Sequence, residues 1–419
     1  MKNLVNILFI ITLASCTIGC SQDELTCVLT GEFVGQDSDT LILTKATEDP
    51  RSSQTMISVN NGRFNYTLTT PFTEAYTLIL KSEFDSGAWR QFYFFPYNGI
   101  TEFKLYQRQV NSKSEIKGGK LTSEYYDYQE SYNETFRSKY QAIQDSILLL
   151  INKNKYYTTE YLEIQAEVHR AKNSDTLVRL TQKLQRMTDS GDFATPEGKL
   201  LNEKRDSINN TAKIWRYNYI ADNPSLVSYY FLIEDMKNLE YFKNFSIDDI
   251  KEKVPVFFEK YPNHSYTEIM KVLFESEEQV QVGGNYIDFS LPDLDGKIYT
   301  LSEIINGKYA VIDLWASWCG PCILGSRELI PLYEEFHEKG FTVCGIANEF
   351  KDTDELKNLL EKEKFPWINL VELDGKNQIW LKYGVPGAGR KIFVDDNGTI
   401  LSIDPEIEQI REILNEKIN

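Results

Sequence analysis

The chain has 419 residues, is 42% hydrophobic and 13% aromatic, and carries a formal net charge of -17. That is too long for one compact core and too apolar for a disordered chain, so two to four domains are expected. The charge argues against nucleic acid or anionic lipid as a partner, because phosphates repel such a surface.

The chain opens "MKNLVNILFIITLASCTIGCSQDEL". One Lys, an apolar run and then small residues form the pattern of a secretory signal, too short and too early for a spanning helix. "LASC" at 13–16 and "TIGC" at 17–20 both resemble the lipobox of bacterial lipoproteins, where the Cys is acylated and becomes the first residue. Leu13 favours Cys16. Signal length and the following "SQDE" favour Cys20, since an acidic cluster there resembles the surface-export signal of Bacteroidetes-type lipoproteins. Cys20 is the preferred site, and a secreted chain cleaved without lipid is the alternative. The resemblance implies a Gram-negative cell envelope, periplasmic or outer-membrane, with membrane contact only through the N-terminal anchor. The leader is set at 1–20.

Residues 21–118 carry short runs rich in Thr, Val, Ile, Tyr and Phe, such as "DTLILTKA" and "AYTLILKS". "NNG" at 60–62 signals a hairpin, because Asn and Gly tolerate positive φ. A small antiparallel all-β sandwich or barrel is expected, with the sandwich preferred. "LTGEFVG…DTLILT" and "NNGRFNY" resemble the β-sandwich module, of unknown function, found ahead of thioredoxin domains in Bacteroidetes lipoproteins. From 119 to 280 the composition turns to Glu, Lys, Gln, Leu and Tyr, and apolar residues recur at three and four. This predicts an α-helical spacer, interrupted by turn residues at 188–198.

Gly283 and Gly284 open the last region, 281–419. "FSLPDLDGK" predicts two short strands around a turn, and "TLSEI" a helix start. "YAVIDLWAS" is a strand apolar on both faces. "CILGSRELIPLYEEFHEKG" is a helix ended by Gly340, "FTVCGIAN" a second buried strand, and "TDELKNLLEKEK" a helix capped by Thr353. "KIFVDDNGTILSI" is a hairpin, and "EIEQIREILNEKI" a closing helix. Strands alternating with helices and then a hairpin mean an α/β sheet of mixed direction.

Of six cysteines, Cys16, Cys20, Cys27, Cys319, Cys322 and Cys344, only Cys319 and Cys322 form a close pair outside the leader. Three apart on a first helical turn, they share a face and reach disulfide distance. Unpaired amides and the helix dipole stabilise a thiolate there, below the usual pKa of about 8.5. Pro321 suits an early helical position and Gly320 a tight turn. Cys319 is then the exposed nucleophile and Cys322 the resolving thiol. A zinc half-site lacks further ligands, so no metal is expected, and no cofactor is called for. Cys344, Cys27 and Trp315 are read as core, Trp318 as exposed beside Cys319. His169, His264 and His337 are given no role.

The stretch 285–419 resembles the thioredoxin superfamily. Within it "FSLPDLDGK" and "WASWCGPC" are similar to the TlpA-type periplasmic thiol-disulfide oxidoreductases. The resemblance places Cys319 at the nucleophile, Cys322 at the resolver, Trp318 at the flanking aromatic, and Asp313 at the buried acid that relays the resolver's proton. A carboxyl in that apolar strand should titrate high. The peroxiredoxin pattern Pro-x-x-x-Thr-x-x-Cys is absent: Ile312 and Ala316 stand at those positions. In "YGVPGAGRKIFV", Gly389 replaces the cis-proline of the family's substrate-docking loop, and Pro386 lies three residues early. A non-proline cis bond costs about 3 kcal/mol, so substrate docking is where this chain differs. Trp318, Gly320, Pro321, Ala388, Gly389 and Arg390 form the expected docking rim, with Arg390 offering a charge to substrate or to the Cys319 thiolate.

The reading is an exported oxidoreductase whose WCGPC pair reduces or exchanges disulfides of proteins or small thiols, recharged by an unnamed reductant. The alternative is a binding or scaffold lipoprotein whose thioredoxin-like domain is redox-responsive or vestigial.

Overall fold

The computed structural model describes residues 24–418 apart from 36–37, 53, 172–173, 240–244, 386 and 388. The leader, both lipidation candidates, Pro386 and Ala388 lie outside the described residues.

Eight strands come first: β1 Leu25–Val34, β2 Ser38–Lys45, β3 Thr55–Asn60, β4 Arg63–Thr70, β5 Tyr76–Leu80, β6 Phe92–Phe94, β7 Gly99–Tyr106 and β8 Glu115–Lys117. They form one ladder in the order β6-β5-β2-β3-β4-β1-β7-β8. This corrects the sandwich expectation: the strands are right, but they belong to one curled sheet and not to two separate ones. β1 and β7 pair in parallel, so the sheet is also not purely antiparallel. The bend falls at the "NNG" hairpin, where Asn61 and Gly62 take positive φ and β3 pairs with β4 through Asn60 and Arg63. Beyond it the two halves face each other. Phe94 on β6 meets Phe103 on β7 edge to face, 5.4 Å between centroids. Alternate residues, among them Leu29, Leu41, Ile57, Phe64 and Leu78, fill the single core inside. α1 Lys81–Asp85 is a single turn between β5 and β6.

The helices follow: α2 Lys120–Asn152, α3 Thr159–Arg170, α4 Ser174–Ser190, α5 Pro196–Asp222, α6 Leu226–Lys237, α7 Ile247–Lys253, α8 Pro255–Lys260 and α9 Ser265–Gln279. α6 is buried nearly all round, and Tyr125, Tyr128, Tyr217 and Phe257 pack about it. This layer grips the sheet. The Tyr266 hydroxyl accepts from the Ala75 amide at 2.5 Å. His264, given no role from sequence, caps α9 by accepting from the Tyr266 amide and lies 3.1 Å by Nε2 from the Thr73 carbonyl.

The last part holds β9 Ser290–Pro292, β10 Ile298–Thr300, α10 Leu301–Ile305, β11 Tyr309–Trp315, α11 Gly320–Phe336, β12 Phe341–Glu349, α12 Asp354–Glu363, β13 Ile368–Leu373, α13 Ile379–Lys382, β14 Arg390–Val394, β15 Ile400–Ile403 and α14 Ile407–Lys417. The main sheet runs β13-β12-β11-β14-β15. β11, β12 and β13 are parallel, and β14 and β15 antiparallel. Separate apolar cores cover its two faces, which is why β12 is buried along its whole length. β13 and α13 were not foreseen. Thr353 stands at the start of α12 without making a side-chain cap; the Asp352 carboxylate takes the Asp354 amide instead, at 3.1 Å. Gly340 ends the α11 segment at φ 107, as expected.

Candidate active site

β11 runs straight into α11, and the turn between them carries the two cysteines. Cys319 is the N-cap of α11, with φ -96 and ψ 91, and its Sγ accepts from the Cys322 amide at 3.3 Å. The pair is joined as a disulfide with Cα atoms 5.3 Å apart. The first-turn amides and dipole are thus aimed at the Cys319 sulfur. The expectation of an exposed nucleophile is corrected: Cys319 is 6% exposed and Cys322 9%. As cap, Cys319 folds back over the helix start and joins the cluster of Trp315, Ala316 and Leu329. Gly320 and Pro321 are exposed and form the accessible edge.

Asp313 sits six residues before Cys319 and is 2% exposed. Burial holds its carboxyl above the usual carboxylate range, against the pull of Lys391 and of a hydrogen bond from Ser326. Ser326 Oγ donates to Asp313 Oδ2 at 2.5 Å and lies 3.0 Å from the Cys322 carbonyl oxygen. One hydroxyl therefore ties the buried acid to the helical turn of Cys322. Lys391 is the cross-strand partner of Asp313, and its amine lies where a side chain on Gly325 would stand. Ser326 follows Cys322 by one helical turn and Lys391 follows Gly389 by two residues. Both were legible from spacing and were passed over.

The rim differs from expectation. Trp318 is half-buried and not free. Its ring N–H donates to the Asn348 carbonyl at 3.0 Å, it stacks on Phe350 and leans on Trp380, and the Arg51 guanidinium lies 3.7 Å over it. Arg51 comes from the β2–β3 loop of the first sheet. Ser317 is held by Glu349 at the end of β12, accepting the Ser317 amide at 2.8 Å and hydroxyl at 2.6 Å. Arg390 is turned to the carbonyls of Tyr383 and Gly384, at 3.3 and 2.8 Å, and to Asp404 at 3.5 Å. These contacts set it beside α13. Gly389 faces the pair: its amide donates to Cys322 Sγ at 3.2 Å. Glu349 and Arg51 had no local signal, since each meets the site through a contact distant in sequence.

Cys344 and Cys27 are buried free thiols, and burial pushes the Cys344 thiol far up. Trp315 is core, its ring N–H donating to Asn369 at 3.1 Å. Among the described residues no group of three or more His, Cys, Asp or Glu is placed to hold a metal.

Residues 282–403 match the model of the AhpC/TSA family. The chain is 30% identical over 146 residues to the thiol-disulfide oxidoreductase ResA of Bacillus cereus, covering 34% of this chain and 80% of that protein. The chain belongs to the thioredoxin-like thiol-disulfide oxidoreductases. It is also 29% identical over 119 residues to the thiol:disulfide interchange protein DsbE of Pseudomonas fluorescens, covering 28% of this chain and 64% of that one. A solved thioredoxin domain of a thiol-disulfide oxidoreductase from Bacteroides vulgatus superimposes with TM-score 0.31 at 23% identity, covering 34% of this chain and all of that one. The family match covers 282–403, the part that carries Cys319 and Cys322. No described helix is long and apolar enough to cross a membrane.

Proposed function

We propose that this is an exported, TlpA-type thiol-disulfide oxidoreductase that uses Cys319 and Cys322 to reduce or exchange disulfides of proteins or small thiols. The observation that carries the reading is the Cys319–Cys322 disulfide at the start of α11, backed by buried Asp313 through Ser326. In the reducing direction the Cys319 thiolate attacks one substrate sulfur. The substrate S–S bond breaks, and its other sulfur leaves as a thiolate. Cys322 then attacks Cys319 Sγ, the mixed disulfide breaks, and the substrate's second sulfur is released. Two electrons pass to the substrate and the pair ends as a disulfide. An external dithiol donor restores it.

Asp313 is the base that takes the Cys322 proton. Trp318, Gly320, Pro321, Ala388, Gly389 and Arg390 form the proposed docking rim. The N-terminal pattern supports export and lipid anchoring at Cys20 or Cys16 in a Gram-negative envelope. The acidic surface speaks against nucleic acid.

Purified chain should speed insulin disulfide reduction by dithiothreitol, and Cys319→Ser should abolish this. Absence of insulin or glutathione mixed-disulfide reduction with both cysteines intact would sink the reading. A second reading, a redox-responsive scaffold, draws on the burial of Cys319 and the cover over Trp318. A Cys322→Ser trap separates the two. Discrete mixed disulfides mean an enzyme, whereas none, beside stable non-covalent partners, means a scaffold.

A further inference from the structure

Gly389 stands where the thioredoxin resemblance places a cis-proline, and its backbone meets the cysteine pair. Space demands glycine here, not backbone angle, since Gly389 is not among the positive-φ residues. A methyl built on it would collide with the Leu314 carbonyl oxygen and come within 2.8 Å of Cys322 Sγ. The backbone is pressed against the sulfur, and its N–H donates to that sulfur at 3.2 Å. Proline has no N–H to give. The loss of the ring and the gain of a donor are one change.

We propose that the Gly389 amide is the donor that holds the Cys322 thiolate for the resolving step, which makes Gly389 a catalytic residue. The inference rests on Cys319 and Cys322 acting as a dithiol. A disulfide or thiol sulfur is a weak acceptor, whereas a charged acceptor makes a bond roughly twice as strong. The contact therefore strengthens as Cys322 ionises. In the step itself the Cys322 sulfur attacks Cys319 Sγ, the Cys319–Cys322 bond forms, and the Cys319–substrate bond breaks with the electron pair leaving on the substrate sulfur. Gly389 transfers no proton. It holds the attacking sulfur while Asp313, bound to Ser326, takes the proton.

The titratable and charged groups near the pair include Glu349 at the end of β12, which holds Ser317, and Arg51, which lies over Trp318. Asp313 lies on β11, Cys319 on α11, Cys344 on β12, and Arg390 and Lys391 on β14, while Asp404 after β15 accepts the Lys391 amide at 2.8 Å. Arg390 is on carbonyls, and Lys391 pairs across the ladder with Asp313. Among the described residues, the Gly389 amide donates to the Cys322 sulfur.

The test reads the amide directly in the full chain. Ala388-Gly389 is the one Ala-Gly pair in the sequence. Labelling alanine carbonyls with carbon-13 and glycine amides with nitrogen-15 therefore isolates this single N–H. In Cys319→Ser the Gly389 amide proton should move downfield as Cys322 ionises, and the movement should vanish in Cys319→Ser/Cys322→Ser. A proton that does not titrate, or that titrates equally in the double variant, overturns the proposal. In Gly389→Pro, resolution of a preformed Cys319–glutathione mixed disulfide should have its pH midpoint raised by about one to two units, so the rate near neutrality falls about tenfold or more. A folded proline variant with an unmoved midpoint also overturns it, and if that variant does not fold the amide titration decides. Neither outcome depends on insulin turnover, so failure here is distinct from failure of the oxidoreductase reading.

Discussion

Asp313 is a buried carboxyl that is costly to the fold and to which the proposed reaction gives a use. It lies on a strand buried on both faces, and burial raises its carboxyl despite Lys391 and Ser326. A carboxyl whose folded pKa lies above its unfolded value contributes stability in full below the unfolded value, about 3.9, and loses it as pH rises through the folded value. Asp313→Asn removes that loss. The variant should therefore gain on the wild type in urea midpoint as pH rises from about 4. Its resolving step should slow on the order of 10²-fold, the usual worth of a positioned base. Parallel stability curves, or an unaffected resolving rate, would remove Asp313 from the mechanism. This residue was legible through the resemblance to thioredoxins, and its place in the apolar run "YAVIDLWAS" predicted the direction of its pKa. Its working partner Ser326 is equally local, four residues after Cys322. The place of Gly389 was also legible, but its amide bond was not, because a backbone donor leaves no mark in the side-chain code.

Among elements, the β11–α11 turn is the one whose shape decides reactivity, and another strand end fixes it. Glu349 at the close of β12 holds both the amide and the hydroxyl of Ser317, two residues before Cys319. Burial pushes the Glu349 carboxyl up, and the two Ser317 bonds pull it back. Glu349→Ala should cost about 2 kcal/mol in urea unfolding, since two charge-assisted bonds are lost but water re-enters. Amide exchange at Ser317 should speed up in the oxidised protein. Unchanged protection at Ser317 would show that the turn holds itself. The contrast with sequence reading is instructive at this scale. The helical character of 119–280 and the cysteine turn were readable because their signals lie within a few residues, although the separate helices α4, α5 and α9 were not singled out. β13 was missed because "INLVEL" is short and irregular. The curled sheet was read as a sandwich because alternation marks which residues face inward, not which strands pair, and β1 finds both β4 and β7 far along the chain.

At the scale of the whole molecule, the first sheet reaches the redox centre. The β2–β3 loop carries Arg51, which is clamped by Asp49 at 2.9 and 2.6 Å and laid over Trp318 and Phe350. The helical layer fixes this loop from the other side, as Lys237 donates to the Thr47 carbonyl at 3.1 Å. The β and helical parts therefore do more than precede the thioredoxin-like part: they place a cation on Trp318, next to Cys319 in the chain. Such a contact is worth about 1 kcal/mol, the equivalent of about fivefold in rate. If it acts as a cover, Arg51→Ala should raise kcat/KM for a bulky substrate such as insulin by about that factor, and Arg51→Lys by less. Reduction of a small mixed disulfide such as a glutathionylated peptide should stay unchanged, because it reaches Cys319 past the exposed Gly320–Pro321 edge without displacing the loop. Equal changes for both substrates would place the effect in the chemistry of Cys319. A fall for insulin alone would make Arg51 a docking contact and not a cover.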